Sequence, residues 1–236
     1  MDAKALKIEA ARAALAHVRD GMRLGIGTGS TASEFVRLLA EKVAAGMKIT
    51  GVPTSERTAA LCAELGVGLS TLDETPELDL TIDGADEVDP HLDLIKGYGG
   101  ALARERIVAA SARRLVILVE SEKLVPALGR RGRLPVEVIP FASPLVMREL
   151  AGRGCRPALR TVDGKTFVSD NGNWIIDCSV RPIEAPAPLA QDLRAIPGVV
   201  ETGLFLGIAE LVLVAEAGHI RELRRGESDR VTTAGP

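Results

Sequence analysis

The stretch RLVILVE at 114–120 sets the tightest limit on the fold. Leu115, Val116, Ile117, Leu118 and Val119 leave no polar position to face water, so a strand here is buried on both sides. A half-solvated antiparallel sheet would alternate apolar and polar residues, whereas a sheet covered by helices on both faces needs no alternation. The first two-thirds of the chain has the matching rhythm. Apolar runs at 22–27, 48–53, 67–72 and 78–82 predict further strands. Helical patterns fill 3–19, 32–45, a stretch from Ser55 to Gly66, and 101–112. In the second of these, Phe35, Leu38, Leu39 and Val43 share one face. The prediction is an α/β fold: a Rossmann-like open parallel sheet with helices on both faces.

From Leu134 the texture changes. LPVEVIP reads as a strand, and Ser143-Pro144 starts a helix that ends at Gly152 or Gly154. RPALR follows, then a hairpin of 166–168 and 174–177 around Asn171-Gly172-Asn173. A proline-rich link at 182–188 leads to a helix over 188–195 and a last strand in PGVVETGLF. This β-α-β-β-α-β order predicts a smaller ferredoxin-like α+β domain over 134–205. LVLVAE at 211–216 returns to the first sheet, so residues 1–133 and 206–236 form the larger domain. The polar tail at 226–236 is expected to fray.

Composition removes several function classes. A net charge of -3 and a pI near 5.8 give no field to attract nucleic acid or an acidic membrane surface. Aromatic residues make up only 3%, which leaves little for base stacking. No apolar run approaches the roughly 18 residues of a membrane span, and the first residues lack a signal-peptide core. Cys62, Cys155 and Cys178 are scattered, as suits free thiols in a reducing cytoplasm. His17, His91 and His219 have no metal-ligand spacing. Ser169-Asp170-Asn171 is similar to part of a penicillin-binding signature, but S-x-x-K is missing from the chain, so it reads as a turn.

Three clusters follow predicted strands, where open α/β sheets bind ligands. Gly25-Ile26-Gly27-Thr28-Gly29-Ser30-Thr31 offers glycine backbone, hydroxyls and a helix N-terminus, which suit an anion such as phosphate. A dinucleotide fingerprint would need glycine where Ser30 stands and an acid after GVPT. A plain glycine-rich turn is the other reading. In Asp83-Gly84-Ala85-Asp86-Glu87, with Asp89 beyond, neighbouring carboxylates suit paired acid and base steps, or a Mg²⁺ shared with substrate phosphate. Glu87 and Asp89 read equally well as a solvated acidic loop. Lys96-Gly97-Tyr98-Gly99-Gly100 sets a cation against backbone N–H groups at a helix start, an arrangement that stabilises an oxyanion. Glu105 lies in the early turns of that helix; alone, such a residue is usually solvated. Lys123 stands at the same sheet edge, while Arg130, Arg131 and Arg133 receive no role. Together the clusters suit proton transfer beside the carbonyl of a small phosphorylated substrate.

At this point the sequence closely resembles ribose-5-phosphate isomerase, type A. The resemblance rests on GIGTGSTA (25–32), TIDGADEVD (81–89), LIKGYGGALARERI (94–107), LPVEVIP (134–140), DNGNWIIDC (170–178) and PGVVETGLF (197–205). It implies interconversion of ribose 5-phosphate and ribulose 5-phosphate in the cytoplasmic pentose phosphate pathway, with no metal or organic cofactor. It also implies a homodimer or homotetramer, with the smaller domain serving oligomerisation. Carried onto this sequence, it makes Glu105 the general base. Thr28, Gly29, Ser30 and Thr31, then Asp83, Gly84, Ala85 and Asp86, then Lys96, Gly97, Tyr98 and Gly99 become substrate-binding loops. Lys123 becomes a further contact. Asp83 is expected to open the sugar ring and Lys96 to stabilise the enediolate. The departure is Tyr98, where the family more often has glycine.

Two other classes remain to be separated. A sugar-phosphate sensor would carry a basic helix-turn-helix, for which the chain has neither spare length nor charge. A coenzyme A transferase-like enzyme would use Glu105 as a nucleophile.

Overall fold

A computed structural model describes residues 3–226 in full and the backbone of 230–233. Through the first half the elements are α1 (Ala3–Leu15), β1 (Arg23–Ile26), α2 (Ser30–Ala44), β2 (Thr50–Pro53), α3 (Glu56–Glu64), β3 (Leu80–Gly84), β4 (Glu87–Val88), β5 (Leu94–Ile95), α4 (Leu102–Ala110) and β6 (Leu115–Glu120). Then come β7 (Arg133–Val138), α5 (Ser143–Gly152), β8 (Arg156–Leu159), β9 (Thr161–Val162), β10 (Lys165–Thr166), β11 (Trp174–Ser179), α6 (Pro186–Arg194), β12 (Val199–Thr202), β13 (Leu204–Phe205), β14 (Leu211–Glu216), β15 (His219–Arg224) and β16 (Arg230–Thr233).

The chain divides into two compact units, one of 1–85, 104–123 and 208–236, the other of 86–103 and 124–207. The sequence pattern put 86–103 and 124–133 with the first domain. They group with the second because β4 and β5 pair with β13, and Val125 N–H donates to Val88 C=O (2.9 Å).

In the first unit the sheet runs β16-β15-β14-β6-β3-β1-β2. Its strands from β14 to β2 are parallel, and β15 and β16 add an antiparallel edge that the sequence did not reveal. The 67–72 run forms no strand; Leu69 makes a single bridge to Gly51. Part of the tail expected to fray is the strand β16, while 227–229 and 234–236 lie outside the described residues. One face buries Leu24, Ile26, Leu80, Ile82, Val116 and Leu118 against Ala10, Ala11 and Ala14 of α1, Phe35, Val36 and Leu39 of α2, and Cys62 of α3. The other face receives α4, whose Val108 packs with Val52 and Leu78. Helices therefore cover both faces, as the unbroken apolar run in β6 demands.

The second unit holds a four-stranded antiparallel sheet in the order β12-β7-β11-β8. With α5 after β7 and α6 after β11, this is the β-α-β-β-α-β unit expected from Leu134 onwards. The expected hairpin is smaller: β10 pairs with β9, and only Val168 bridges Trp174. Val136, Val138, Ile176 and Cys178 of the sheet close on Val146 and Leu150 of α5 and on Ala190 and Leu193 of α6. A small sheet, β13-β5-β4, completes the unit.

Gly25 of β1 faces α4 at close range. A Cβ there would stand 2.6 Å from Val108 Cγ1 and 2.9 Å from Thr81 Cβ, inside van der Waals contact. Gly25→Ala is expected to cost about 1–3 kcal/mol of stability as an overpacking change. Urea denaturation measures it, and an unchanged midpoint contradicts the packing described here.

Candidate active site

In the first unit the site elements are the carboxyl ends of β1, β3 and β6, with α4 beside them. Asp83 is the penultimate residue of β3 and is buried. Its Oδ1 accepts from Thr28 N–H (3.1 Å) and from Gly84 N–H (2.7 Å), which ties the loop after β1 to the end of β3. The approach requires glycine at 27, where a Cβ would come within 2.5 Å of Asp83 Cα. Thr28 turns its hydroxyl into a cluster of its own kind. It donates to Ser55 Oγ (2.7 Å) and lies 2.7 Å from Thr54 Oγ1 and 3.1 Å from Thr58 Oγ1. Ser55 in turn caps α3 by accepting from Thr58 N–H (3.0 Å). Thr28 is thus a structural tie through its side chain, a role its place in the motif did not disclose.

Gly29 is the N-cap of α2 and supplies no side-chain cap, so the helix opens at Ser30 and Thr31 with its dipole available to an anion. Thr31 Oγ1 donates to Glu120 Oε1 (3.5 Å), and Lys7 pairs with the same oxygen (3.7 Å). Glu120, buried at the end of β6, was not singled out from sequence; its position directly after the apolar run was the available signal. Lys123 follows in a short 3-10 turn and pairs with Glu122 at 3.9 Å. Glu105, in the first turn of α4, is only 4% exposed. A surface reading of this glutamate therefore fails.

In the second unit, Asp86 Oδ2 accepts from Tyr98 N–H (2.9 Å). Lys96 is 3% exposed, and its Nζ stands 5.7 Å from the Phe205 ring centre. The Gly97 and Tyr98 carbonyls both accept from Arg160 Nη1 (3.0 Å each), and Arg160 is held by Asp177 through Nε (2.9 Å) and Nη2 (2.5 Å). Arg160 and Asp177 were not legible as site supports, because they lie far along the chain from the loop they hold. Glu87 and Asp89 are buried, so the reading of them as a solvated acidic loop does not hold. Glu87 accepts from Gly129 N–H (2.6 Å) and Arg131 N–H (2.7 Å); Asp89 accepts from His91 and Asp93 N–H (2.9 Å each). Backbone donors make these two acids turn-builders.

The side chain of Tyr98 packs into the unit's core with its hydroxyl donating to Arg133 C=O (3.1 Å). The Arg133 guanidinium covers the ring at 4.3 Å and donates to Tyr98 C=O (3.2 Å), so this arginine does have a role. Burial first, then the charges of Glu87 and Asp86, push the phenol pKa up and keep it a donor. The LPVEVIP and DNGN motifs meet at Glu137, which is buried. Its Oε1 accepts from Ser169 Oγ (2.9 Å), Asn171 Nδ2 (3.3 Å) and Asn173 Nδ2 (3.0 Å), and its Oε2 from Ala103 N–H (3.4 Å). Ala103 is the second residue of α4, and a carboxylate at a helix start suits the dipole.

Among the described residues, no three His, Cys, Asp or Glu side chains gather as a metal site, and no helix is long and apolar enough to cross a membrane.

A family model described as ribose 5-phosphate isomerase A (phosphoriboisomerase A) matches residues 50–219. The chain is 56% identical to ribose-5-phosphate isomerase A of Agrobacterium fabrum, over 91% of this chain and 95% of that protein. It is 51% identical to its counterpart from Roseiflexus castenholzii, over 98% of this chain and 100% of that one. Among solved structures it is similar to a D-ribose-5-phosphate isomerase in complex with phospho-erythronic acid. That match has a TM-score of 0.92 and 39% identity, and covers 95% of this chain and 100% of the other. The Methanocaldococcus jannaschii ribose 5-phosphate isomerase A structure gives a TM-score of 0.90 at 39% identity, with 94% and 100% coverage.

Tyr98→Phe removes one buried hydrogen bond, so a loss of about 0.5–1.5 kcal/mol is expected in chemical denaturation. Because the ring points into the core, kcat and KM should not change. A raised KM in this variant would place the phenol at the substrate instead.

Proposed function

The chain belongs to the ribose 5-phosphate isomerase A family, and from that premise we propose that it interconverts D-ribose 5-phosphate and D-ribulose 5-phosphate through a cis-enediolate. Glu105 is the general base. It removes the proton from C2 of the open aldose and returns it to C1, and the reverse reaction uses the same carboxylate. The observation that carries this reading is the burial of Glu105, on a helix where a glutamate without function would face water.

Asp83 assists ring opening. Its Oδ1 is committed to the N–H groups of Thr28 and Gly84, which fixes the direction of the other oxygen. The open end of α2 at Gly29, Ser30 and Thr31 holds the phosphate, with Lys123 as a further contact. Gly84, Ala85 and Asp86, with Lys96, Gly97, Gly99 and the backbone of Tyr98, bind the sugar. Lys96 offers positive charge to the enediolate oxygen, and its withdrawal from water strengthens that attraction. Phosphate anchoring keeps one carboxylate in reach of both carbons. The phospho-erythronic acid held by the similar solved enzyme is a suggestive relative of the intermediate. Its carboxylate spreads negative charge over two oxygens, as an enediolate does. The pathway is the non-oxidative pentose phosphate route in the cytoplasm, and no metal or organic cofactor takes part.

The second unit serves self-association. Phe141 is 97% exposed, and Ile139 and Val200 are exposed beside it, where Ile139 N–H donates to Gly198 C=O (2.9 Å). Such an apolar edge fits a second copy of the chain as a homodimer or homotetramer.

Glu105→Gln keeps the shape and removes the base, so turnover should fall by about 10²–10⁴-fold with KM little changed. Near-normal turnover in a coupled assay on ribose 5-phosphate refutes the assignment. Phe141→Asp is expected to lower the mass measured by light scattering toward one chain, while Glu105→Gln leaves it unchanged. An unaltered mass in Phe141→Asp removes this surface from the interface.

A further inference from the structure

Cys155 and Cys178 belong to none of the machinery above, yet the fold brings them together in the second unit. Cys178 lies in β11 opposite Pro157 of β8, and Cys155 stands two residues before Pro157. Side chains two apart in a strand share a face, so both thiols point to the same side, into the core beneath α5 and α6. They share one hydrophobic cluster, close enough for each sulfur to influence the other, and are not bridged. The pair is asymmetric. The influence of Cys178, with the charge of Arg153 adding to it against the effect of burial, brings Cys155 down to about 7. The influence of Cys155, together with burial and the charge of Asp177, pushes Cys178 up. Cys155, just outside β8 and not fully enclosed, is the sulfur a reagent meets first, and Cys178 lies deeper.

Of the three thiols, only Cys155 keeps contact with the surface. A cleft of about 400 Å³ opens at the ends of β8 and β11, lined by Gly154, Arg156, Ser179, Val180 and Arg181. Its walls include both chain neighbours of Cys155 and the residue after Cys178, while the cysteines themselves face the core. Cys155 keeps 8% of its surface exposed. Cys62, by contrast, is fully enclosed, and burial pushes its thiol up to about 11.

We propose that Cys155 and Cys178 are an oxidation site at which a peroxide converts the dithiol to an intramolecular disulfide, with Cys155 attacking and Cys178 resolving. The Cys155 thiolate attacks one oxygen of hydrogen peroxide. An S–O bond forms, the O–O bond breaks, and the departing hydroxide takes a proton to become water. Cys178 sulfur then attacks Cys155 sulfur. The S–S bond forms as the S–O bond breaks, and the hydroxyl leaves with the Cys178 proton as a second water. Two electrons pass from the thiols to the peroxide. Diagonal strand neighbours have Cα atoms about 7–8 Å apart, and a disulfide spans about 4.4–6.8 Å, so closure needs only a small shift. Cys155 sits just outside β8, where the backbone is not yet locked into the ladder.

The test treats the full-length protein with hydrogen peroxide and maps peptides without reduction. The expected result is a link between the peptides carrying Cys155 and Cys178, a mass lower by two hydrogens, reversal by dithiothreitol, and Cys62 still open to alkylation after unfolding. Cys178→Ser should stop at a sulfenic acid on Cys155 that dimedone captures, and Cys155→Ser should give neither link nor adduct. Circular dichroism checks that each variant is folded, and Cys178→Ala replaces the serine variant if it is not. Cys155 remaining alkylatable under peroxide in the wild type overturns the proposal. So does oxidation of Cys62 at the same rate, or a dimedone adduct that falls on Cys178 in Cys155→Ser.

Discussion

The close approach of β1 to β3 and α4 is the constraint on which the first unit rests. Glycine at 25 admits Val108 and Thr81, and glycine at 27 admits the backbone and carboxylate of Asp83. With those spaces filled, Asp83 Oδ1 collects the Thr28 and Gly84 N–H groups, and the loop after β1 is fixed where it turns into α2. The glycine-rich segment thus does two jobs. It leaves the start of α2 open to an anion, and it brings an acid from the next strand to the same end of the sheet. A side chain at 25 or 27 would separate these jobs.

The acid-rich stretch divides along the same physical line. Glu87 and Asp89 are satisfied by backbone N–H groups of turns, which a buried carboxylate needs if it is not to be stranded. Glu137 is satisfied by Ser169, Asn171, Asn173 and the start of α4. Carboxylates used in this way build the fold and are poor candidates for chemistry, since protonating one would release several donors at once. Asp83 spends one oxygen on the fold, as described above, and Asp86 spends one on Tyr98 N–H. The acids of the stretch thus differ in how much of each carboxylate the fold is seen to use.

Much of this was legible in the sequence, and the rest was hidden for definite reasons. Unbroken apolar strands announce a sheet covered on both faces, and the β-α-β-β-α-β order announces the second sheet. The strands β15 and β16 escaped because His219–Arg224 and Arg230–Thr233 are mostly charged or polar residues and carry no apolar run. Segment 86–103 was misplaced because β4 and β5 are two residues long each, too short to carry a period. Site motifs were visible as clusters, but their supports were not. Arg160 and Glu137 act on residues more than thirty positions away, Asp177 acts through Arg160, and no local pattern encodes such partners.

Tyr98 shows which atoms of the 96–100 loop matter. Its N–H is held by Asp86, and its carbonyl by Arg160 and Arg133, so the backbone is fixed from both sides. The side chain is then free to leave the loop and join the core, and a residue larger than glycine costs nothing there. The flanking positions differ. Gly97 and Gly100 have φ of 98° and 81°, in the region that L side chains rarely enter. A Cβ at Gly100 would also meet the Phe167 ring at 2.5 Å. Tolerance in this loop is therefore set by backbone conformation and by the room beside each Cα, and not by the number of glycines. Tyrosine is accommodated at 98 because the backbone bonds to Asp86, Arg160 and Arg133 shape the loop, while the ring packs in the core and bonds Arg133 C=O.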